Sequence, residues 1–361
     1  MGKKRNRIGV LTFHEVFNPG AFLQAYATTR LLRELGHEAD IINYNTPAFR
    51  YHPAAHLWQL RHKLRTNYLT WLDSTRKDLA FRRARRRHFN LPDGKLSRKE
   101  LAGVHYGAVI VGSDIVWNFQ LRNDPAYFGV GLPGDRLVAF APSCGNCRIE
   151  GEIPGYVGEG LARFHRLSAR DERTSELVRR TTGRECPIVC DPTYHMAGHP
   201  VLQPTDKEPF ILVYLLPGNT SEEMIQQVRK LSHDTGLPVH AVYYRHMWAD
   251  RNIMSCDPFE WIRLISRAAF VVTNTFHGTL FSILTEANFV LEYSPLSEAK
   301  TRGVMTDCRL QERVFGQGSD LGLMKSARTD YAPARACMAE RSRAARSYLQ
   351  EALTDSVEPH C

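Results

Sequence analysis

The stretch VVTNTFHGTLFSI (271–283) runs from an apolar strand directly into the start of a helix. Five polar or small residues stand at the joint: Asn274, Thr275, His277, Gly278 and Thr279. In open α/β sheets, ligands bind outside the carboxyl ends of the strands, where helix N-termini attract phosphate or carboxylate. The joint therefore predicts a site where Thr275, Gly278 and Thr279 bind an anion and His277 transfers a proton or donates a hydrogen bond. The alternative interpretation is a core histidine that caps the helix.

Strands and helices alternate on both sides of this joint. In the N-terminal half, the residues from Gly20 to Leu35 predict a helix that ends at Gly36. The apolar segments of this half are RIGVLTF (7–13), ADIINY (39–44), AVIVG (108–112), LVAFA (137–141), RLSAR (166–170) and PIVCD (187–191). Those of the second half are FILVYLL (210–216), VHAVYYR (239–245), FVVTN (270–274) and FVLEY (289–293). A strand, a helix and a strand within about forty residues form a βαβ unit, which predicts parallel sheets.

The length of 361 residues exceeds what one hydrophobic core usually fills, so two domains are expected. The segment HPVLQPTDKEP (199–209) is polar and proline-rich, as is typical of a linker. We therefore predict an α/β protein with two Rossmann-like domains. The predicted parts are an N-terminal domain over 1–198 containing a basic helical excursion over 50–105, a linker over 199–209, a C-terminal domain over 210–329 and a helical tail over 330–361.

The net charge of +9 is concentrated in one segment. Between Arg50 and Glu100 there are 14 Lys and Arg against 4 Asp and Glu, centred on FRRARRRHF (81–89). Before it, apolar residues at helical spacing predict an amphipathic helix: Leu57, Leu60, Leu64, Tyr68, Trp71 and Leu72. Two interpretations stay open, a solvated excursion packed on its own domain and a dock on an anionic membrane surface through 50–100. Nucleic acid ranks third, because no nucleic-acid-binding motif accompanies the arginines.

The sequence contains neither an apolar run long enough to span a bilayer nor a signal-peptide pattern. A cytoplasmic protein is expected, with peripheral attachment to the inner face of the membrane if the basic segment docks there. Of the eight cysteines, Cys144 and Cys147 form one close pair and Cys186 and Cys190 another. A four-thiolate metal site is the less favoured interpretation, and structural thiols are preferred. We expect no metal and no cofactor.

Three further strand ends carry polar residues. Asn18 and Gly20 lie between the first strand and the first helix, a second turn suited to an anion. Asp114 follows the strand over 108–112 and is interpreted as a helix N-cap or as a base. Arg170 ends the segment 166–170, where it either binds a carboxylate or phosphate through two hydrogen bonds or holds Asp191.

Together these motifs resemble those of the polysaccharide pyruvyl transferase family. The resemblance covers most of the chain, from NPGAFLQAYATTRLLRELGHEADIINY through VGSDIVWN, LSARDERT and CDPTY to the stretch that ends in VVTNTFHGTLFSI. It implies a GT-B-like fold and transfer of a pyruvyl group from phosphoenolpyruvate to two sugar hydroxyls, forming a cyclic ketal. Arg170 and His277 match positions implicated in binding phosphoenolpyruvate or in catalysis, and Asn18, Gly20 and Asp114 match other family positions.

The chain departs from the family pattern at Pro19, Asn274 and Thr275. Some members carry Arg in place of Thr275, so another cation would hold the phosphate here, and Lys300 and Arg302 are the nearest candidates in sequence. The expected partners are phosphoenolpyruvate as donor and a sugar or lipid-linked oligosaccharide as acceptor, with His277 as acid and Asp114 as base. Two alternatives stay open: a GT-B glycosyltransferase that uses a nucleotide sugar, and a non-catalytic member of the family that binds glycan.

Overall fold

A computed structural model describes residues 7–44, 67–92, 94–121, 124–132, 136–203, 206–295 and 297–354. Their packing divides them into two compact units. Of the described residues, the first unit comprises 7–44, 85–195 and 341–354, and the second comprises 67–84 and 196–340. Each unit is built on one parallel sheet.

The sheet of the first unit has the strand order β2-β1-β3-β4. Its strands are β1 Arg7–Leu11, β2 Glu38–Ile41, β3 Ala108–Val111 and β4 Leu137–Ala139. All neighbours pair in parallel, and β1 lies against both β2 and β3. The strands are buried almost throughout because helices cover both faces of such sheets, which explains their continuous apolar sequences. The direction of winding reverses between β1 and β3, the place where open sheets bind ligands.

The sheet of the second unit has the strand order β10-β9-β8-β5-β6-β7, again all parallel. Its strands are β5 Glu208–Tyr214, β6 Val239–Val242, β7 Arg251–Ile253, β8 Ala268–Thr273, β9 Phe289–Glu292 and β10 Val314–Phe315. Here the winding reverses between β5 and β8. The stretch VVTNTFHGTLFSI (271–283) therefore contains the end of the central strand β8, at the reversal point.

The helices fall where the sequence changes from apolar runs to a helical period. In chain order they are α1 Pro19–Glu34, α2 Asn67–His88, α3 Arg98–Leu101, α4 Gly155–Ala162, α5 Glu172–Thr182, α6 Glu222–Thr235, α7 Pro258–Arg267, α8 Phe276–Leu284, α9 Glu298–Asp307, α10 Leu321–Ser326 and α11 Ala332–Thr354. Side-chain caps begin several of them, as Asp257 does for α7 by accepting the N–H groups of Phe259 and Glu260.

The structure confirms the predicted fold class of two parallel-sheet α/β domains. Two apolar segments differ from expectation, since 166–170 and 187–191 contribute only isolated bridges, Val138 to Arg166 and Ala169 to Ile188. Arg166, Ser168 and Arg170 interrupt the first segment, and the second begins with Pro187, which has no backbone N–H to donate to a ladder. The short strands β7 and β10 were not predicted.

The division into units differs in detail from the sequence-based boundaries. Residues 67–84 of α2 pack in the second unit, whereas the sequence placed the whole basic excursion in the first domain. The last part of α11, from Arg341 onward, packs in the first unit, where the Tyr348 hydroxyl donates to the carbonyl of Ala139 at 2.8 Å. Residues 57–66 of the predicted amphipathic helix lie outside the described residues, and residues 67–72 form the start of α2.

Candidate functional site

The turn after β8 is fixed by Asn274, which is fully buried. Its side-chain oxygen accepts the N–H of Leu216 at 2.8 Å, and its amide nitrogen donates to the carbonyl of Asn219 and the hydroxyl of Thr220. These contacts join the loop after β5 to the end of β8. Asn274 therefore positions the turn rather than presenting its side chain to a ligand.

Thr275 is the N-cap of α8, and its hydroxyl accepts the N–H of Gly278 at 3.0 Å. The Thr279 hydroxyl donates back to the carbonyl of Thr275 at 2.9 Å. A Cβ at Gly278 would lie 2.5 Å from the Thr275 hydroxyl oxygen and still closer to that of Thr273. Glycine is thus required by packing of the helix start against the strand end, a reason that the sequence alone did not supply.

His277 occupies the second position of α8 and is only partly buried. Its ring packs edge-on against Phe276, with ring centroids 4.9 Å apart. Its neighbours Gly278 and Thr279 are buried, so His277 is the more accessible side chain of this turn. Its Nε2 atom is nevertheless buried, so both interpretations, a functional histidine at the helix N-terminus and a core histidine, stay open.

The segment that follows β9 is tied to the same turn. The hydroxyls of Ser294 and Ser297 both donate to the carbonyl of Asn274, at 3.1 and 2.8 Å, and Ser297 precedes α9. The two candidate cations, Lys300 and Arg302, both belong to α9. The Arg302 guanidinium bonds the Glu298 carboxylate and lies 4.6 Å from the ring centroid of Tyr293. α9 is therefore anchored to the turn, and the role of its cations in phosphate binding stays a prediction.

Glu292 is a candidate that the sequence reasoning missed. It ends β9, is 7% exposed, and its Oε1 accepts the N–H of Ser221 at the start of α6 at 3.0 Å. Its Oε2 is buried without a hydrogen-bond partner among the residues that the structure describes. Burial raises the pKa of this carboxyl. The signal in the sequence was a glutamate that closes an otherwise apolar strand.

In the first unit, Asn18 and Gly20 form the start of α1. The Asn18 side-chain oxygen accepts the N–H groups of Gly20 and Ala21 at 2.8 and 3.3 Å. Asn18 thus occupies two of the N–H groups that an anion would have used. Gly20 is buried within the helix. Their role in binding substrate stays a prediction.

Asp114 lies in a turn at the reversal point of the first sheet, with a φ of 69°. Its Oδ1 accepts the N–H of Ile115 at 2.8 Å, and no described helix begins at this residue, so the N-cap interpretation is wrong. Ala141, which follows β4 at the same edge of the sheet, is also in a left-handed conformation, with a φ of 51°. Left-handed conformations of non-glycine residues cluster at functional sites, which supports this edge as a candidate site.

A buried amide organises this edge. Gln24 of α1 donates to the Thr12 hydroxyl at 2.8 Å and accepts the N–H of Ser113 at 3.0 Å. The Thr12 hydroxyl in turn donates to the carbonyl of Ser113 at 3.1 Å. The loops after β1 and β3 are thereby held together beside Asp114.

Arg170 is engaged with Asp191. Its Nη1 lies 2.8 Å from Oδ2 of Asp191, and the two side chains are 6% and 0% exposed. Burial opposes the charge of the guanidinium, but the carboxylates of Asp191, Asp114 and Asp171 outweigh it and raise the pKa of Arg170. Of the two sequence interpretations, the bond to Asp191 is the one observed. Contact of Arg170 with an anionic ligand stays a prediction.

His14 is a second candidate that the sequence reasoning missed. It follows β1, is 3% exposed, and its Nδ1 donates to the carbonyl of Thr12 at 3.2 Å. Burial lowers the pKa of its imidazole. The available signal was a histidine three residues beyond the end of β1, at the reversal point.

The cysteines of the two close pairs are separate from the candidate site residues. The four residues of the two pairs are buried free thiols, and burial raises the pKa of Cys144 to about 12. In the described part of the chain, no group of three or more His, Cys, Asp or Glu side chains could hold a metal ion. None of the helices in that part is both long and apolar enough to cross a bilayer.

These features define the class of protein: an α/β protein of two successive parallel-sheet units, with polar turns at the carboxyl edges of both sheets. The family model of polysaccharide pyruvyl transferase matches residues 18–292. Because this match spans most of the chain, the protein belongs to the polysaccharide pyruvyl transferase family, as the sequence motifs indicated. None of the curated proteins compared with the chain matches it.

Two solved structures of one enzyme share the fold at low identity. The structure of UDP-GlcNAc 2-epimerase from Methanocaldococcus jannaschii has a TM-score of 0.53 and 10% identity, covering 95% of this chain and 99% of that chain. The same enzyme in complex with UDP-GlcNAc and UDP gives a TM-score of 0.51 and 9% identity, with 95% and 99% covered. E. coli heptosyltransferase WaaC with ADP, at a TM-score of 0.40 and 14% identity, covers 81% of this chain and 89% of that chain.

Proposed function

We propose that the protein is a ketal-forming pyruvyltransferase. It would move the enolpyruvyl group of phosphoenolpyruvate onto two hydroxyls of a sugar, in a cell-surface glycan or its lipid-linked precursor. The observation that carries the proposal is the position of the partly exposed His277 in the first turn of α8, which directly follows the central strand β8 of the second sheet. Membership of the family gives this turn its expected chemistry.

The reaction requires one proton donor and one proton acceptor. His277 gives a proton to the methylene carbon of phosphoenolpyruvate, and the first sugar hydroxyl adds to C2 as Asp114 takes its proton. The bond from C2 to the phosphate oxygen then breaks, and phosphate leaves with the proton held by Asp114. The second hydroxyl closes the ring on C2, and its proton restores His277. The net products are the pyruvate ketal and phosphate.

The donor carries a carboxylate and a phosphate, so the proposal needs positive groups around it. The partial positive charge at the start of α8 supplies one of them. Lys300 and Arg302 are proposed as the cations, because α9 is hydrogen-bonded to the turn through Ser297. Thr275, Gly278 and Thr279 are proposed to shape the anion site through the helix start that they form.

The test is acceptor-dependent release of phosphate from phosphoenolpyruvate, with the ketal carbon identified by NMR. His277→Gln keeps the turn and should lower turnover by about two to four orders of magnitude, as for a lost general acid. His233→Gln is the matched control, because His233 is 89% exposed on α6, outside the proposed site. Turnover of His277→Gln equal to that of the control would refute the role of His277.

The two alternatives are separated by ligand-induced stabilisation. At a concentration of 100 times its dissociation constant, a ligand adds about 2.7 kcal/mol to the free energy of unfolding. Stabilisation by phosphoenolpyruvate supports the proposal, whereas stabilisation by a nucleotide sugar alone supports a glycosyltransferase. Glycan binding that persists when both Arg170 and His277 are replaced, without any turnover in the wild type, supports a non-catalytic binding protein.

A further inference from the structure

The helix α2 is held to the second unit along one face. Asp73 accepts two hydrogen bonds from Arg245, at 2.7 and 2.9 Å, and is 5% exposed. The Lys77 ammonium lies 4.8 Å from the ring centroid of Tyr243, and the ring of Phe81 packs against the same tyrosine. These contacts recur every four residues, so they define a single inward face.

The opposite face of α2 carries a different set of residues. Leu72, Arg76, Leu79, Arg83 and Arg86 follow one another at spacings of four and three, and thus form one stripe along the helix. We name these five residues the outer stripe. The three arginines are exposed, and Leu79 is 48% exposed at the centre of the stripe. The arginines span ten residues, or about 15 Å of helix.

The arginines of FRRARRRHF are not equivalent. Arg85 is 9% exposed and donates to the carbonyl of Glu15 at 3.2 Å, so it is a structural residue of the first unit. Arg82 bonds both carboxylate oxygens of Asp78, at 2.8 and 2.7 Å. In contrast, Arg76, Arg83 and Arg86 form no ion pair with any residue that the structure describes.

We infer that the outer stripe docks the protein on an anionic membrane surface. Guanidinium groups bind phosphate through paired hydrogen bonds, and lipid headgroups present many phosphates in one plane. Leu79 decides between lipid and nucleic acid. A bilayer offers apolar contact beneath its headgroups, whereas a nucleic-acid backbone would leave an exposed leucine among the arginines without an apolar partner. This inference stands independently of the reaction proposed above.

The test compares binding to two kinds of vesicle, phosphatidylcholine alone and phosphatidylcholine with about one third phosphatidylglycerol. The wild type should bind the anionic vesicles and bind less as salt rises. Replacing Arg76, Arg83 and Arg86 by Gln should weaken that binding about a hundredfold, since each basic residue near such a surface contributes about fivefold. The matched control replaces Arg180, Arg229 and Arg343 by Gln, which removes the same charge from exposed positions on other helices.

A second variant tests the apolar part of the surface. Leu79→Gln should weaken binding to anionic vesicles by about tenfold and leave its salt dependence unchanged, because burial of an apolar side chain is not screened by salt. Circular dichroism melting checks that each variant is folded. Equal binding of the wild type to both vesicles, or equal losses in the stripe and control variants, would overturn the inference. Stripe-dependent binding to duplex DNA without vesicle binding would overturn it in favour of nucleic acid.

Discussion

The buried ion pair between Arg170 and Asp191 offers the sharpest test of how this edge of the first sheet works. Arg170→Met keeps most of the side-chain volume and removes the cation. Asp191 would keep the hydrogen bonds from Thr193 to its Oδ1, at 3.0 and 2.6 Å, but its Oδ2 would lose the Arg170 guanidinium. Both side chains are at most 6% exposed, so water cannot replace the guanidinium without rearrangement.

Leaving one charge of a buried pair uncompensated typically costs about 3–5 kcal/mol. For a unit of this size, each 1 kcal/mol lowers the melting temperature by about 2–4 °C, so a fall of about 10 °C is expected. Differential scanning calorimetry measures it. Asp191→Asn should cost a similar amount, and the double variant Arg170→Met with Asp191→Asn should cost less than the sum of the two, because the residues are directly coupled.

The same variants separate a structural role from a role in binding. If Arg170 chiefly neutralises Asp191, the melting temperature falls and phosphoenolpyruvate affinity in the folded protein changes little. If Arg170 binds phosphoenolpyruvate directly, Arg170→Lys weakens that binding, since an ammonium cannot form the two parallel hydrogen bonds of a guanidinium. A variant Arg170→Met that melts like the wild type and loses phosphoenolpyruvate binding would refute the structural argument.

Two further predictions concern the second unit. Gly278→Ala should lower the free energy of unfolding by about 1–3 kcal/mol through collision with Thr273 and Thr275, whereas the control Gly303→Ala in α9, where a Cβ meets nothing within 4 Å, should be neutral or stabilising. Denaturant unfolding measures both, and equal effects would contradict the close-packing explanation. Burial lowers the pKa of Lys77 to about 8, from about 10.5 in the unfolded chain, so its contribution to stability rises with pH between these values. Lys77→Met should therefore stabilise the protein by about 1–2 kcal/mol at pH 7, with the gain lost as pH approaches 10.5; a gain independent of pH would show that charge is not the cause.

The sequence alone determined the architecture. Parallel strands that are buried on both faces must be apolar throughout, and the helices between them must have apolar residues that recur every three to four positions. Eight of the ten strands in the described residues appear where VVTNTFHGTLFSI and the other apolar segments predicted them. The exceptions are β7 and β10, which were not predicted, and the segments over 166–170 and 187–191, which form only isolated bridges. The family motifs lie at strand ends, so the sequence also located the candidate turns. Local patterns suffice for such features because they depend on neighbours along the chain.

Only the tertiary structure decided which side chains meet. A side chain at Gly278 would collide with Thr273 and Thr275, and Arg170 is bonded to an aspartate 21 residues away. Arg85 is buried, although the sequence does not distinguish it from the exposed arginines beside it. Glu292 and His14 became candidates only when their burial was visible, together with the buried Oε2 of Glu292 that has no described partner. Burial and pairing across the fold are set by distant residues, and a linear pattern of residue types carries no information about those distances.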